Sequence, residues 1–334
     1  MAKQIRHPGE AKSEVLQEIP EACVDETAAV EFLEKQRWGD TPTCPHCGSV
    51  AVVKVMNADG TARNKRFLWR CHDCAKQFTV KVGTIMEDSR IPHKVWCWAF
   101  WSACASKKGV SALQISRECS LSYKSSLLLM HRIRWAMATE TPVEKLKGVV
   151  EVDETFVGGK EKNRHLKKRG KAKKTPVVAM IERGGRVRAR PIANVTAKTL
   201  KRQIVAAIDE SARVNTDDYL GYRSICNGFE GGHGSVCHSM GEYVNGADHI
   251  NTAESFFAVF KRGIYGVFHA VSKKHLHRYV SEFEFRWTYR NIDDGERIAV
   301  AIKAADGKRL LYKTPVKKEN PPESDVAEPP AQPV

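Results

Sequence analysis

Four cysteines occur as two close pairs, and their spacing constrains the fold of this chain more than any other feature of its sequence. The two C-x2-C pairs, separated by 23 residues, are Cys44 with Cys47 and Cys71 with Cys74. Two such pairs supply four thiolates at the spacing that a tetrahedral Zn²⁺ requires, and zinc keeps them deprotonated. The residues between the pairs alternate in the manner of short strands. Residues 41–85 are therefore predicted to form a zinc ribbon, and its Zn²⁺ is structural because four protein ligands close the site.

Other interpretations of the cysteines are weaker. The pairs could instead be redox dithiols, and His46 or His72 could replace a cysteine as a ligand. Six cysteines lack a close partner and are expected to be small buried apolar side chains: Cys23, Cys97, Cys104, Cys119, Cys226 and Cys237. The spacing of one further cluster of donors matches no common metal motif, so no second site is expected from Cys226, His233, Cys237 and His238.

The charge of the chain points to a polyanionic partner. Lys and Arg number 54 against 39 Asp and Glu, which gives a formal net charge of +15. The excess is uneven, since residues 1–43 carry a net charge of −4 and residues 160–174 hold nine basic residues and one acid. An excess of this size is typical of proteins that bind nucleic acid or an anionic membrane surface. Residues 160–174 are predicted to contact a DNA backbone, and the alternative is a solvated loop.

The membrane alternative is not favoured. The longest apolar run, residues 95–105, is too short to span a bilayer as a helix. The N-terminus has no apolar stretch of the kind found in a secretory signal. We therefore expect a reducing cytosol, where paired cysteines indicate metal binding rather than disulfides.

Residues 90–140 resemble a helix-turn-helix region. A short amphipathic helix at 109–119 is followed by a turn at 120–122 and a longer helix at 123–137, whose apolar face includes Leu127, Met130, Ile133 and Met137. The outer face of the second helix is predicted to carry Lys124, Ser125, Ser126, His131 and Arg132. A short turn and a basic second helix suit docking in the major groove of DNA. The alternative is a three-helix bundle whose basic residues are merely solvated.

An apolar strand at residues 149–157 contains acids at Glu151 and Asp153, followed by Glu154. An acid inside such a strand is costly unless it binds a partner, and Asp153 is the one favoured for catalysis. The elements predicted after it are strands at 175–181 and 186–195 joined by a hairpin turn, a helix at 199–211 and a short strand at 213–218.

Two later segments supply further acids. The strand at 213–218 ends in two of them, and strand polarity favours Asp217 over Asp218. Asn251 then opens a helix that carries Glu254. Glu254 is favoured as the third acid, although Asn251 lies one turn earlier and competes for that position. A purely structural capping box between Asn251 and Glu254 is the other alternative.

The order of these elements lets Asp153, Asp217 and Glu254 converge at one edge of a sheet. Three carboxylates crowded together repel one another unless divalent cations neutralise them. Mg²⁺ accepts carboxylate oxygens and keeps several waters, and Mn²⁺ takes similar ligands. Two such ions can activate an attacking oxygen and stabilise a leaving oxygen in the displacement of a phosphodiester.

With these motifs in place, the sequence resembles the bacterial insertion-sequence transposases that carry an N-terminal zinc ribbon ahead of a DDE integrase-like domain, the ISXO2-like transposase domain. The resemblance spans roughly residues 25–300. It rests on CPHC…CHDC, QFTVKVGTIMEDSRIP, VEVDETFVGGKEKNRH, NTDDYLGY and HINTAESFFAVFKRGIYGVFHAVSKKHLHRYVSEFEFRWTYRN.

The resemblance implies an RNase H-like catalytic domain. In it, Asp153 and Asp217 would be the first two acids, and the third position is Glu or Asn, so Glu254 and Asn251 both stay candidates. Lys261, seven residues after Glu254, matches the trailing lysine of the family and would contact a DNA phosphate. No inactivating substitution is apparent at these positions, which favours an active enzyme.

The fold predicted from these observations is an α+β multidomain chain. Its parts are a helical lead-in at 1–40, the zinc ribbon at 41–85, the helix-turn-helix region at 90–140, the RNase H-like (retroviral integrase-like) α/β catalytic domain at 147–305, and a disordered Pro-rich tail at 306–334.

The function implied by the resemblance is that of a transposase. It would bind the terminal inverted repeats of its element and catalyse metal-dependent cleavage and transfer of DNA strands. Its partners would be double-stranded DNA of transposon ends and target, and further copies of the chain on that DNA, in the bacterial cytoplasm at the nucleoid and away from membranes. The alternatives are a structure-selective nuclease of the same fold and an inactive zinc-ribbon protein that binds DNA or regulates transcription.

Overall fold

The computed structural model describes residues 13–138, 144–158, 174–219, 221–222, 225, 228–236, 244 and 246–311. Several predictions fall outside these residues. They concern residues 160–173 of the basic run, Cys226, Cys237, His238, and the tail beyond residue 311.

The chain forms helices along most of its length. They are α1 (Glu14–Ala22), α2 (Glu26–Trp38), α3 (His93–Ala105), α4 (Ala112–Glu118), α5 (Tyr123–Met137), α6 (Ala197–Ala207), α7 (Asn251–Gly263), α8 (Leu276–Thr288) and α9 (Asp294–Lys303). A π-helical turn at Ile264–Phe268 and a 3₁₀ turn at Lys273–His275 lie between α7 and α8. None of the helices in the described ranges combines the length and the apolar character needed to cross a bilayer.

The strands form two separate sheets. A small antiparallel sheet has the order β1 (Val52–Lys54), β2 (Trp69–Cys71), β3 (Gln77–Phe78). A larger sheet is built from β4 (Val149–Val157), β5 (Thr175–Glu182), β6 (Val187–Pro191), β7 (Arg213–Asp217) and β8 (His233–Val236).

The small sheet is held to α2 by aromatic and charged contacts. Trp69 stacks on Phe78 with ring centroids 6.5 Å apart, and Trp38 meets both rings edge-on. Glu34 accepts hydrogen bonds from the Trp69 indole at 2.7 Å and from Arg63 at 2.6 Å. Because so short a sheet buries little apolar surface, these contacts give it much of its support.

We call α1 to α5 together with α9 the helical body, because they share one hydrophobic core. The buried side chains of that core include Leu33, Trp96, Phe100, Ile133 and Ile298. Local capping defines the helix starts: Ser111 and Ser122 accept amide hydrogen bonds at α4 and α5, and Asp293 forms a capping box at α9. The helix α9 lies in the sequence after the larger sheet, yet it packs on α1, α2 and α3.

The larger sheet has the order β6-β5-β4-β7-β8. Neighbouring strands are antiparallel from β6 to β4, whereas β7 and β8 run parallel to β4. One face is covered by α7 and α8, through contacts such as those of Phe256, Phe260 and Phe283. The other face is covered by α6, through Leu200 and Ile204. The sheet therefore lies between two helical layers, and β4 runs through its centre.

The prediction of which residues form the outer face of α5 is largely wrong. The helices α4 and α5 form with a short connection, as the sequence indicates, but Ser126, His131 and Arg132 are buried. Arg132 donates to the main-chain carbonyls of Glu87 and Leu310, and the ring of His131 lies 4.8 Å from that of His275. The reason is that α5 is covered on one side by other helices of the helical body and on another side by α8. Exposed positions remain at its N-terminus, where Lys124 lies.

Some element boundaries also differ from the predicted ones. The strand expected to reach residue 195 ends at Pro191, and α6 occupies residues 197–207 rather than 199–211. The side chain of Thr196 accepts from the amide of Thr199, which starts the helix earlier. At the other end, Ile208 leaves the helix to form a bridge with Leu146.

Candidate metal centres

The four cysteines of the ribbon converge on one point. Their sulfur atoms all lie within 4.8 Å of one another. Within the described ranges, no other group of three or more His, Cys, Asp or Glu side chains has its donor atoms gathered this closely. The Sγ atoms of Cys44 and Cys74 are 3.7 Å apart, and those of Cys47 and Cys71 are 3.6 Å apart. Four sulfur donors at this spacing fit a closed tetrahedral Zn²⁺ site.

The four cysteines differ in how readily they ionise without a metal: hydrogen bonds with the other sulfurs raise the pKa of Cys47 to about 12, whereas the surroundings of Cys71 favour a thiolate. A hydrogen bond from the main-chain amide of Cys74 lowers the pKa of Cys71 to about 7, against the effect of desolvation. His46 is not part of the sulfur cluster, and its ring packs edge-on to Phe78.

A second candidate centre lies on the larger sheet. Asp153 is near the middle of β4, and Asp217 is the last residue of β7. The parallel register pairs Glu151 with Asn215, and two further residues along both strands bring Asp153 beside Asp217. The strand order therefore places the two acids next to each other where β7 ends, halfway along β4.

The electrostatics of Asp153 connect it with the other predicted acids. Burial, and after it repulsion from Glu154, Asp217 and Glu254, together raise the pKa of Asp153 to about 7. The amide of Glu154, which donates to Asp153 Oδ1 at 2.7 Å, acts in the opposite direction. The carboxylates of β4, β7 and α7 thus act on one another, although they are not gathered as closely as the cysteine sulfurs.

Helix α7 positions the remaining predicted residues. Glu254 lies in its first turn and is exposed, and Lys261 lies exposed in its last turn. Asn251 is the first helical residue rather than the N-cap, which is Ile250, and no side chain of the cap accepts a hydrogen bond. The alternative of a capping box between Asn251 and Glu254 is therefore wrong. Asn251 is also exposed, one turn before Glu254.

Two acids beside Asp153 have structural partners that the sequence did not reveal. Glu154 accepts a hydrogen bond from the hydroxyl of Tyr222, which is completely buried. Burial and the neighbouring carboxylate of Glu154 raise the pKa of Tyr222, so the hydroxyl stays a donor. Burial in turn raises the pKa of Glu154. The pair joins β4 to the chain just after β7 and so supports the position of Asp217.

Glu151 is the second of these two acids. It is completely buried and accepts hydrogen bonds from the main-chain amides of Thr252 and Ala253 at 2.7 and 3.1 Å. These amides belong to the first turn of α7, the helix that carries Glu254. The sequence indicates that this acid needs a partner, but not that the partner is the end of a helix 100 residues away.

Comparison with known proteins identifies two kinds of domain along the chain. Residues 24–77 match the model of a transposase zinc-ribbon domain, and residues 145–288 match that of the ISXO2-like transposase domain. An uncharacterized protein in transposable element ISH50 of Halobacterium salinarum (strain ATCC 700922 / JCM 11081 / NRC-1) is 29% identical over 279 residues, which cover 79% of this chain and 91% of that protein.

The first match and the cysteine geometry confirm the predicted zinc ribbon. The second match contains Asp153, Asp217 and Glu254 within its limits. The two matches follow each other along the chain and together cover more than half of it. The chain therefore belongs to the insertion-sequence transposases that join a zinc ribbon to an ISXO2-like transposase domain.

Proposed function

We propose that the chain binds the terminal inverted repeats of an insertion sequence and catalyses metal-dependent cleavage and transfer of DNA strands. The observation that carries this proposal is the parallel register that brings Asp153 beside Asp217 where β7 ends, with Glu254 near enough to act electrostatically on Asp153. The strand order β6-β5-β4-β7-β8, in which β6, β5 and β4 pair antiparallel and β7 and β8 run parallel to β4, supports the assignment of an RNase H-like catalytic domain.

Asp153, Asp217 and Glu254 are the residues that would hold Mg²⁺ or Mn²⁺. The fit rests on donor chemistry, since Mg²⁺ prefers oxygen ligands and is usually held by one or two carboxylates together with substrate phosphates and water. Two such ions would polarise the scissile phosphate and stabilise the charge that develops on its oxygens. Asp153 must lose its proton to act as a ligand, and its raised pKa makes that step sensitive to pH near neutrality.

The third acid in this proposal is Glu254 rather than Asn251. Glu254 acts electrostatically on Asp153, and a carboxylate binds a divalent cation more strongly than an amide oxygen does. Of the two adjacent acids where β7 ends, Asp217 acts on Asp153 in the same way. Lys261 lies two helical turns beyond Glu254 and would contact a phosphate of the bound strand.

A basic surface next to α5 supports DNA binding. We define the junction surface as Tyr123, Lys124, Lys273, Lys274 and Arg278. Lys124, Lys273 and Lys274 are exposed, and the adjacent His275 and His131 bring the 3₁₀ turn against α5. Because a duplex carries closely spaced phosphates, a surface shared by the helical body and the turn before α8 suits the tracking of one backbone. The zinc ribbon would add contacts to the same DNA, and we propose that two or more copies of the chain act together on a pair of ends.

The proposal is tested by incubating the full chain with Mn²⁺ and duplexes carrying the inverted repeats that flank its gene, and measuring nicked and joined products. We expect Asp153→Asn, Asp217→Asn and Glu254→Gln each to lower both products by roughly 100-fold or more, because each removes a metal ligand. The matched controls Glu210→Gln, an exposed acid, and Asp218→Asn should stay within a fewfold of wild type.

Each other outcome has a definite meaning. Joining at the wild-type rate by Asp153→Asn contradicts the mechanism. Nicking without any joining, at both intact and pre-cleaved ends, indicates a structure-selective nuclease instead. Repeat binding that is indifferent to Mn²⁺ and to all three substitutions, with no product, indicates a protein that only binds DNA.

A further inference from the structure

We infer that Glu151 is a positioning residue that sets the place of Glu254 relative to Asp153. This inference rests on the proposed function, because it assigns a role to Glu151 in the metal centre formed by those acids. Glu151 touches neither of them in the described contacts, and it acts through the N-terminus of α7.

The contacts of Glu151 with α7 are extensive. Its Oε2 accepts from the amides of Thr252 and Ala253 at 2.7 and 3.1 Å, and its Oε1 accepts from the Thr252 hydroxyl at 2.9 Å. The first amides of a helix have no partner within the helix, and a buried amide without a partner costs free energy. The cap residue of α7, Ile250, has no side-chain acceptor. Glu151 therefore takes over the capping of α7 from a different element.

The position of Glu151 on β4 links the capping of α7 to the position of Asp153. Glu151 and Asp153 are two residues apart on one strand, so their side chains project from the same face of the sheet. Glu254 follows Thr252 by two residues in the first turn of α7. One carboxylate thus fixes the distance between the strand that carries Asp153 and the helix turn that carries Glu254. A helix end also attracts negative charge, which strengthens the contact.

A second set of contacts explains how the buried charge is tolerated and why Glu151 is not itself a metal ligand. Arg183, in the turn after β5, donates from Nε to Glu151 Oε1 at 2.9 Å. The same guanidinium donates to the carbonyls of Ala247 at 3.1 Å and His249 at 3.3 Å, just before α7. Both carboxylate oxygens of Glu151 are therefore already engaged by donors, and Arg183 also anchors the approach to the helix.

The test compares Glu151→Gln with a matched buried acid. Glu284 is 3% exposed and accepts from Arg188 and Arg190, which makes Glu284→Gln a control that removes a similar buried charge away from the acids. Strand cleavage is measured over a range of Mn²⁺ concentrations. We expect Glu151→Gln to raise the half-saturating Mn²⁺ concentration roughly tenfold, as for residues that orient metal ligands, with recovery at saturating Mn²⁺. Glu284→Gln should leave that concentration unchanged. A lower maximal rate at an unchanged half-saturating concentration in Glu151→Gln would overturn the inference.

A readout without catalysis separates this inference from the proposed function. Hydrogen exchange at the amides of Thr252 and Ala253 should accelerate in Glu151→Gln and not in Glu284→Gln, and direct Mn²⁺ titration by electron paramagnetic resonance should show the same tenfold weakening. If the wild-type chain cleaves no DNA, the proposed function fails while these two measurements still test the positioning role. Unchanged amide exchange in Glu151→Gln overturns the positioning role whatever the activity.

A milder variant keeps the inference testable if Glu151→Gln does not fold. Thr252→Val keeps the size of the side chain and both amide contacts and removes only the hydroxyl contact with Glu151. We expect it to raise the half-saturating Mn²⁺ concentration in the same direction by about two- to threefold, since one of several hydrogen bonds is lost. No shift in Thr252→Val, when Glu151→Gln does not fold, counts against the inference.

Discussion

Arg134 of α5 and Glu282 of α8 form an ion pair inside the protein, with 2.7 Å between Nε and a carboxylate oxygen and at most 1% of either side chain exposed. Arg286 donates to the other oxygen of Glu282 at 2.5 Å. The substitution Glu282→Ala leaves two buried guanidinium groups without their anion. We therefore expect it to lower the free energy of unfolding by about 3–5 kcal/mol, measured by urea denaturation.

The control for this prediction is an exposed pair. Glu14 binds Lys35 on the surface, so Glu14→Ala should leave the urea midpoint nearly unchanged.

Acid should also weaken the buried ion pair of Glu282. Burial raises the pKa of Glu282, but Arg286 and Arg134 outweigh it and hold that pKa below its usual value. The stabilisation is then present above the unfolded pKa and lost as the pH falls. A small effect of Glu282→Ala would show that the buried network contributes little.

Zinc content provides a second prediction. Cys74→Ser removes one of four sulfur donors, so we expect purified protein to fall from about one zinc per chain to a small fraction, because three ligands hold the ion far less tightly. Cys119→Ser is the matched control, since Cys119 is partly buried and outside the cluster. Elemental analysis of the dialysed proteins gives the measurement. Full occupancy in Cys74→Ser would rule out the four-cysteine site.

The raised pKa of Asp153 predicts a pH-dependent stability without added metal. The folded pKa of about 7 exceeds the ordinary value of 3.8, so the native state binds the proton more tightly than the unfolded state. The wild-type chain should therefore lose stability as the pH rises between these two values, by up to about 4 kcal/mol. The asparagine of Asp153→Asn cannot ionise, so this variant should not show that loss of stability. Thermal unfolding of both proteins from pH 5 to 8 compares them, and parallel profiles would contradict the prediction.

The affinity for Mn²⁺ should depend on the same ionisation of Asp153, but it should increase with pH where the stability of the metal-free chain decreases. Protons compete with the cation for Asp153, so Mn²⁺ binding should strengthen as the pH rises through about 7. Titrations by electron paramagnetic resonance at pH 6 and pH 8 check this. An affinity that is independent of pH would separate Asp153 from the cation site.

The junction surface predicts a change in the salt dependence of DNA binding. The double variant Lys273→Ala/Lys274→Ala removes two exposed charges, and we expect the slope of log affinity against log salt to fall in magnitude by about 1–2. Lys198→Ala/Lys201→Ala on α6 is the control, because it removes the same charge from a different face. Fluorescence anisotropy from 50 to 200 mM salt measures both. Equal slopes in the two variants would exclude a specific role of the junction surface.

Local patterns were sufficient to predict several parts of the fold. The spacing of the cysteines predicted their convergence, and the valine-rich run at 149–157 predicted a strand that the structure has with the same limits. Both depend on residues close together in the sequence. Apolar periodicity also predicted α5, but not which of its polar residues would be covered. His131 and Arg132 are buried because α8 and the chain near Leu310 pack on them, and that contact joins residues far apart in sequence.

In the candidate site, too, local patterns predicted some features, whereas others depend on contacts between residues far apart in sequence. Strand and helix order predicted that acids from β4, β7 and α7 would approach one another, and Asp217 and Glu254 both act electrostatically on Asp153. The supporting contacts were not predictable, because Tyr222 and Thr252 have no distinguishing pattern around them. Which buried acid finds a tyrosine and which finds a helix end depends on the three-dimensional register alone.

The packing of α9 on the N-terminal helices makes the larger sheet an insertion within the helical body. The chain leaves that body after α5 and returns to it at α9, so two covalent connections tie the sheet to the region that includes the zinc ribbon. A sheet tethered at both ends cannot swing on one hinge as a domain at the end of a chain can. Loss of α9 would expose the apolar core that it shares with α1, α2 and α3, and would leave the sheet joined to the helical body by one connection only.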